Sequence, residues 1–406
     1  MEEFDIAIIG GGMVGASLAL ALAAAGRRIV LIEGLAPDAR GHQSFDERTT
    51  ALGNASRRIL EGLGVWSAVA DQCGLIRAIH VSDAGRLAFA RLDAREQGIE
   101  AFGFVLPNRV LGNALWAQIR QTGTISVRVP ATVAAVSTDA QGVTLTLAAT
   151  GEAHGPGPSL RARLAVAADG AHSAVRRDAG IPATEADYGQ IAIVANVATD
   201  PAHDGTAYER FTAAGPLALV PLRDGSYTVV WARTPEEAAQ SLRATDEEFL
   251  KLLQQHFGWR AGRFVRAGRR ASYPLKLTRA DEAVAERTVL IGNAAQSLHP
   301  VAGQGFNLAL RDVAALAELM VGVADPGAPQ LLEQFAQGRK ADRSGVTRFT
   351  DGLIRMFGDP RPPVRLLRDV GLLLFDLLPP AKSALARVSL GFGGRTPRLA
   401  RGLPLR

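Results

Sequence analysis

The sequence predicts an α/β protein in which a parallel, nucleotide-binding sheet is interleaved with an antiparallel sheet and followed by a helical C-terminal segment. Three observations predict it. An apolar run over 6–9 opens directly into Gly10-Gly11-Gly12-Met13-Val14-Gly15. A second run, 164–168, leads into Asp169-Gly170-Ala171-His172-Ser173. A third, 288–291, leads into Gly292-Asn293 and then His299-Pro300-Val301-Ala302-Gly303-Gln304-Gly305-Phe306-Asn307. Short buried strands, each ending in a glycine turn and far apart in the chain, suit a parallel sheet assembled from distant segments.

The elements follow in order. Residues 4–9 read as a buried strand, 14–25 as a helix ending near Gly26, and 29–33 as the next strand, which is a βαβ opening. Residues 125–147 hold strand-like runs with a turn at Ala140-Gln141-Gly142, and 150–159 form a loop tip. Residues 191–197, 217–222 and 227–232 read as strands of another sheet, with Arg223-Asp224-Gly225-Ser226 turning between the last two. Thr245 and Glu248 make a capping box that starts a helix ending near Gly258. Residues 307–320 read as a helix, and the chain from Pro329 onward is largely helical. The nucleotide domain is therefore expected over 1–75, 100–182 and 280–325. A second domain, bearing the substrate, takes 76–99 and 183–279, and the helical segment takes 326–406.

Composition narrows the function classes. The chain has 406 residues, 47% of them hydrophobic, enough for a large core in two or more domains. A formal net charge of +5 is mild for this length and implies no nucleic-acid partner. Cys73 is the only cysteine, so no internal disulfide forms. The seven histidines show no ligand spacing, so no metal is expected. Glu2, Glu3 and Asp5 do not suit a secretory leader. The expected location is cytoplasmic, with peripheral contact on the inner face of the cytoplasmic membrane left open.

The first motif suits a pyrophosphate. Gly10 and Gly12 allow a tight turn and close backbone approach, and Gly15 lets the helix sit near the strand. The helix N-terminus offers free N–H groups and a positive dipole end. Glu33, ending the second strand, can accept hydrogen bonds from ribose hydroxyls. Nothing in this motif separates FAD from NAD.

The other two motifs favour a flavin. Asp169 can hydrogen-bond near the pyrophosphate at the Gly170 turn, with Ser173 capping the next helix. Gly292-Asn293 ends a strand where a ribityl chain would run. Pro300 offers a rigid flat face, and Gly303, Gln304 and Gly305 bring backbone amides to a planar ring. Asn307 is expected to begin a helix whose positive end faces the flavin N1–C2=O edge, where charge develops on reduction, a term of about 0.3–1 kcal/mol.

These stretches resemble the class A flavoprotein aromatic hydroxylases, the para-hydroxybenzoate hydroxylase type, and more closely the ubiquinone-biosynthesis hydroxylases. The resemblance covers nearly the whole chain. It extends to Phe45-Asp46-Glu47-Arg48-Thr49-Thr50-Ala51-Leu52, which implies that Arg48 contacts the flavin, and to Arg109 in Pro107-Asn108-Arg109-Val110-Leu111, where relatives place a flavin-contacting polar residue. The branch it most resembles is that of the 2-polyprenyl-6-methoxyphenol hydroxylases, through His80-Val81-Ser82-Asp83, the 193–199 run, Glu209-Arg210-Phe211-Thr212, Gly215-Pro216-Leu217-Ala218 and Gly292-Asn293-Ala294-Ala295-Gln296. Asn293 stands where most of the superfamily has Asp, and an amide still hydrogen-bonds a ribityl hydroxyl.

The resemblance implies a Rossmann-like FAD-binding domain with an interleaved antiparallel-sheet substrate domain. It also implies a cycle: NAD(P)H, visiting without a second nucleotide domain, reduces FAD; the reduced flavin takes O2; a C4a-hydroperoxide oxygenates an electron-rich ring in a dry pocket. His299 could help deprotonate a phenol. Phe211, Leu217, Leu219, Pro221, Trp231 and Tyr273 are candidate pocket residues. A prenyl tail would repay an apolar lining at about 0.8 kcal/mol per CH2. Residues 364–378 carry a wide apolar face with Arg365, Arg368, Asp369 and Asp376 on one stripe, followed by Pro379-Pro380 and the arginines at 395, 398, 401 and 406. That pattern suits a peripheral membrane contact through 364–406, a partner in a ubiquinone-biosynthesis complex, or a helix packed on the catalytic domain. A monooxygenase of soluble aromatics, a flavin reductase of isoprenoid double bonds and a non-catalytic flavin scaffold are the competing readings. Oxygen dependence, substrate choice and turnover separate them.

Overall fold

The computed structural model describes residues 1–37, 48–149, 157–359, 361–391 and 396–405. Most of the 150–159 loop tip, Phe45-Asp46-Glu47, Arg395 and Arg406 therefore lie outside the described residues.

Strand Glu2–Ile9 sits inside a parallel sheet, between Ile29–Ile32 and Ser159–Ala167. Ile125–Arg128 and Thr288–Leu290 extend the sheet outward on either side, also in parallel. Residues 6–9, 29–32 and 289–290 are apolar without alternation because both faces of the sheet are covered there. Ile6, Ile8, Ile29 and Leu31 pack against Leu18 and Leu22 of helix Met13–Ala24 and against Leu310 and Val313 of helix Gln304–Leu319. Ala7, Ile9, Val30 and Ile32 pack on the other side, with Val143 and Leu145 of strand Gly142–Leu147.

The second sheet has nine strands. Its centre is the run Ala271–Ala280, Ala183–Asp200, Tyr227–Arg233, Gly215–Pro221 and Thr206–Thr212, each antiparallel to the next. Ala78–Asp83 then joins Thr206–Thr212 in parallel, the one parallel junction in this sheet among the described residues, and Phe89–Asp93 closes the edge. Strand Ala183–Asp200 is far longer than the 191–197 expected, with a bulge between Asp187 and Gln190. The capping box at Thr245 and Glu248 opens helix Asp246–Phe257 as expected, and Thr234 and Glu237 form a second one.

Helix Gln304–Leu319 begins three residues before Asn307, because Gly303, at φ 59°, turns the chain into the helix earlier than the sequence suggested. At the C-terminus, helices Pro329–Gly358, Pro362–Leu377 and Pro379–Ser389 each open on proline, whose missing N–H is no loss in a first turn. Pro379-Pro380 thus ends one helix by starting another. No helix among the described residues is long and apolar enough to cross a membrane.

Candidate active site

All three glycine motifs lie at the C-terminal ends of the parallel strands, the edge where open α/β sheets bind ligands. Gly10 has φ +103°, and a Cβ there would stand 2.4 Å from the Ala168 carbonyl oxygen. A Cβ on Gly15 would stand 1.9 Å from the Gly10 carbonyl oxygen, so only glycine lets the helix start this close to the strand. Gly12 is the N-cap and contributes no side-chain cap, which leaves first-turn N–H groups for an anion. Glu33 holds the turn from one side, accepting from the Gly11 N–H at 2.6 Å and the Leu35 N–H at 2.9 Å. Trp116, which no motif singled out, holds it from the other, its Nε1–H donating to the Gly11 carbonyl at 3.0 Å.

At the second motif Asp169 Oδ2 accepts from the Ala174 N–H at 3.0 Å, while its Oδ1 is buried with no hydrogen-bond partner. Ser173 caps the short helix that follows, accepting from the Arg176 N–H at 3.0 Å. Arg176 ties motifs two and three together. Its guanidinium donates to the Ala171 and Ala294 carbonyls, both at 3.0 Å. Gly170 and Gly292 take φ of +89° and +58°. Gly292 packs on the Val14 side chain, and Asn293 is exposed beside it.

The third motif forms the rim of a cavity. Pro300, Ala302 and Gly305 are exposed there, and Ala302 has φ 60°, a strained conformation for a residue with a Cβ. Gln304 is buried and donates to the Ala302 carbonyl at 3.1 Å. Asn307 does not open the helix and its amide is saturated by protein. It accepts from the Gly53 N–H at 2.8 Å and the Ser56 hydroxyl at 2.6 Å, and donates to the Ala51 and Gly303 carbonyls at 2.8 Å. It locks the loop to the neighbouring elements. Arg48 lies over the Tyr273 ring, 4.6 Å from its centroid, and its carbonyl accepts from the Asn108 N–H at 2.7 Å. Arg109 is exposed in the first turn of helix Asn108–Gln121.

The substrate-domain sheet supplies the opposite wall, and here the pocket expected from sequence needs correcting. Leu217, Leu219 and Trp231 are fully buried on the far face, against Phe249, Leu253 and Phe257. Pro221 pairs in register with Tyr227, a member of that far cluster. Side chains alternate across a strand, so the residues between them face the Pro300 loop: Pro216, Ala218, Val230 and Ala232, with Ala192 and Leu275 beside them. Phe211 is on the loop side, stacked at 3.7 Å on Phe357 and clustered with Val301. Tyr273, in register with Ala192, shares that side.

Two polar side chains line this otherwise apolar cavity, Glu209 and His299. Burial pushes the Glu209 carboxyl up to about 7, against the lowering effect of the Ala302 N–H, and its Oε1 has no hydrogen-bond partner. His299 is 2% exposed, and burial lowers it to about 4, so the imidazole is neutral and a poor base for a phenol. Its Nδ1 accepts from the Val301 N–H at 3.2 Å, which places the ring proton on Nε2, an atom that is buried and unpartnered.

The residues present fit FAD. The first turn suits a pyrophosphate, Glu33 stands at the end of the second strand, Asp169 presents an orphaned buried oxygen, and glycine-bearing loops with an exposed proline rim the cavity. The FAD binding domain family model matches residues 3–350. The chain is 37% identical to the ubiquinone hydroxylase UbiL of Rhodospirillum rubrum over 99% of its own length and 93% of that protein's. It is 32% identical to the 3-demethoxyubiquinol 3-hydroxylase of Escherichia coli, over 96% and 99%. Its fold is similar to that of p-nitrophenol 4-monooxygenase PnpA from Pseudomonas putida DLL-E4, with TM-score 0.79 at 21% identity over 97% and 100% of the two chains. The chain belongs to the FAD-binding-domain family, as an FAD-dependent, NAD(P)H-reduced monooxygenase of the ubiquinone-hydroxylase group.

Proposed function

We propose that this enzyme hydroxylates the aromatic ring of a polyprenylated phenol, 2-polyprenyl-6-methoxyphenol, in ubiquinone biosynthesis. The observation that carries the reading is the cavity between the Pro300 loop and the substrate-domain sheet: an apolar, small-walled space with one carboxyl and one neutral imidazole. That chemistry suits a hydroxyl entering among apolar side chains. The names of the two relatives point to the same pathway. Gly10, Gly12, Gly15, Glu33, Asp169 and Gly170 would hold the dinucleotide end of FAD. Gly292, Asn293, Pro300, Gly303, Gln304, Gly305 and Arg48 would hold its ring end, with Arg109 near its edge. When bound, the flavin supplies activated oxygen. Val301, Phe211 and Phe357 keep water from that side of the cavity. Deleting the gene and identifying the accumulated quinone precursor by mass spectrometry tests this. A prenylated phenol one oxygen short is expected, and an unchanged quinone pool removes the reading.

The same reading extends to a lipid surface. Leu366, Leu367, Val370, Leu373, Leu374 and Leu377, along one side of helix Pro362–Leu377, are 43–74% exposed. Three of the four charges of the stripe are paired instead, Arg368 with Asp83 at 2.6 Å, Asp369 with Arg86 at 3.5 Å and Asp376 with Lys382 at 2.8 Å, while Arg365 is exposed. Within the same segment Leu372 joins Phe357, Phe211 and Val301, so this helix connects the outer apolar face with the cavity rim. We assign the occupant of that face as the bilayer in which a polyprenyl substrate resides. At the end of the chain Leu399, Ala400 and Leu405 are buried back on the first domain, so these three add no apolar surface to that contact.

A further inference from the structure

Glu209 and His299 are the two polar groups of the cavity, and each has one buried polar atom that the protein leaves unpaired. One wall offers an unpartnered buried carboxyl oxygen, Glu209 Oε1, and the loop offers an unpartnered buried N–H, His299 Nε2. An acceptor and a donor left open in one apolar space are costly unless a ligand pairs with both. A hydroxyl does so, since it donates one hydrogen bond and accepts others.

The backbone around them is arranged to hold these atoms in place. Glu209 pairs in register with Ala218, whose side chain is too small to cover it. The Ala302 N–H approaches the carboxyl from a left-handed residue, and the Tyr188 ring meets the His299 ring edge-on at 5.2 Å. The other lining residues, Ala192, Pro216, Ala218, Val230, Ala232 and Leu275 among them, are apolar, so His299 is the only other ionisable group lining the cavity. The sequence reading offered His299 as the base.

We infer that Glu209 is the base that ionises the substrate's phenol and that His299 is the donor that holds the resulting phenolate. The O–H bond of the phenol breaks. Its proton goes to Glu209 Oε1, and the electron pair stays on the oxygen, which accepts a hydrogen bond from His299 Nε2–H. The negative charge enriches the ring carbons ortho and para to that oxygen; both ortho carbons already carry substituents, so the para carbon is the activated position open to an electrophilic oxygen atom. The proton returns from Glu209 to the phenolate oxygen when the hydroxylated product leaves. A carboxyl whose affinity for protons is near neutrality suits both transfers. This inference rests on the phenol reading above.

The test uses purified holoenzyme and 2-prenyl-6-methoxyphenol, a probe carrying a single isoprene unit. Binding to the oxidised enzyme is followed by the near-ultraviolet difference spectrum of the phenolate across pH, beside flavin content and turnover. Wild type should form phenolate well below the pH at which the free phenol ionises. Glu209→Gln should keep its flavin and its KM within about threefold and lose the phenolate band at neutral pH. Its kcat should fall at least tenfold there and recover as pH rises to the phenol's own range. Glu209→Asp should retain part of the band. His299→Asn should weaken it and divert NAD(P)H oxidation from product. Phenolate formation that is equal in wild type and Glu209→Gln overturns the role of Glu209 alone. If wild type does not bind the probe at all, the phenol reading falls and the inference with it. Were Glu209→Gln not to fold, the wild-type spectrum decides: no phenolate below the free phenol's range sinks the proposal.

Discussion

Glu209 carries a cost that its role explains. Its carboxyl titrates from 4.5 in an exposed state to about 7 in the cavity, so the folded protein holds the proton that the unfolded chain releases first. In that window the native state binds more protons, and stability falls as pH rises from 4.5 through 7. Above 7 the whole penalty, on the order of 3 kcal/mol, is present. Glu209→Gln should therefore raise Tm by a few degrees at pH 8 and leave it nearly unchanged at pH 5, measured without substrate. An equal change at both pH values would show that the gain comes from packing. Sequence reading marked Glu209 only as part of a run shared with relatives, because a lone acidic residue between Tyr208 and Arg210 looks like any solvated strand position. The glycines were legible for the opposite reason. Gly15 is demanded by the Gly10 carbonyl five residues earlier, so local spacing carries that information, whereas the Ala168 carbonyl that demands Gly10 lies far along the chain.

At the level of elements, helix Gln304–Leu319 packs on the parallel sheet by its apolar face and is tied to helix Pro329–Gly358 by charges. Asp312, 2% exposed, pairs with Arg339 at 2.6 Å and Arg343 at 3.0 Å, and Asp342 pairs with Arg311 at 2.8 Å. Burial alone would raise the Asp342 carboxyl, but Arg311 and Arg339 hold it below the ordinary range, so its stabilising share is present at neutral pH and lost on acidification. Asp312→Ala would strand the buried Arg343 guanidinium and leave Arg339 with Asp342 alone, at a cost of about 3–5 kcal/mol. Denaturant unfolding should show that loss, together with reduced flavin occupancy, since the first turn of this helix continues directly from the Pro300 loop. A loss under 1 kcal/mol would mean that solvent reaches the cluster. None of these pairs was visible in the sequence, where the partners lie about one helix apart and look like surface charge. The strands were visible, but the facing of the second sheet was not. Both its faces are apolar, so a period of two gives the alternation without telling which phase meets the loop.

Over the whole molecule, the two ends of the C-terminal segment do different work. The chain was legible as interleaved, with an amphipathic helix near its end. The pairing of that helix's charged stripe was not legible, because it depends on partners as far away as Arg91, whose N–H meets Asp376 across 285 residues. The last described residues, 396–405, return to the first domain. Leu399 is 3% exposed and sits so close to Gly62 that a Cβ there would stand 2.8 Å from it. Truncation after Pro363 would remove this anchor together with the leucine face and confuse two effects. Two substitutions keep them apart. Leu399→Ala should cost about 2–4 kcal/mol by opening a cavity in the first domain's core, while leaving flotation on phosphatidylethanolamine–phosphatidylglycerol vesicles unchanged. The double variant Leu367→Glu/Leu374→Glu should leave Tm within about two degrees, because both side chains are more than half exposed. It should also abolish flotation and raise KM for long-tailed phenols far more than for the one-unit probe. Wild-type protein that fails to float, or a double variant that floats equally well, would show that the leucine face meets something other than lipid.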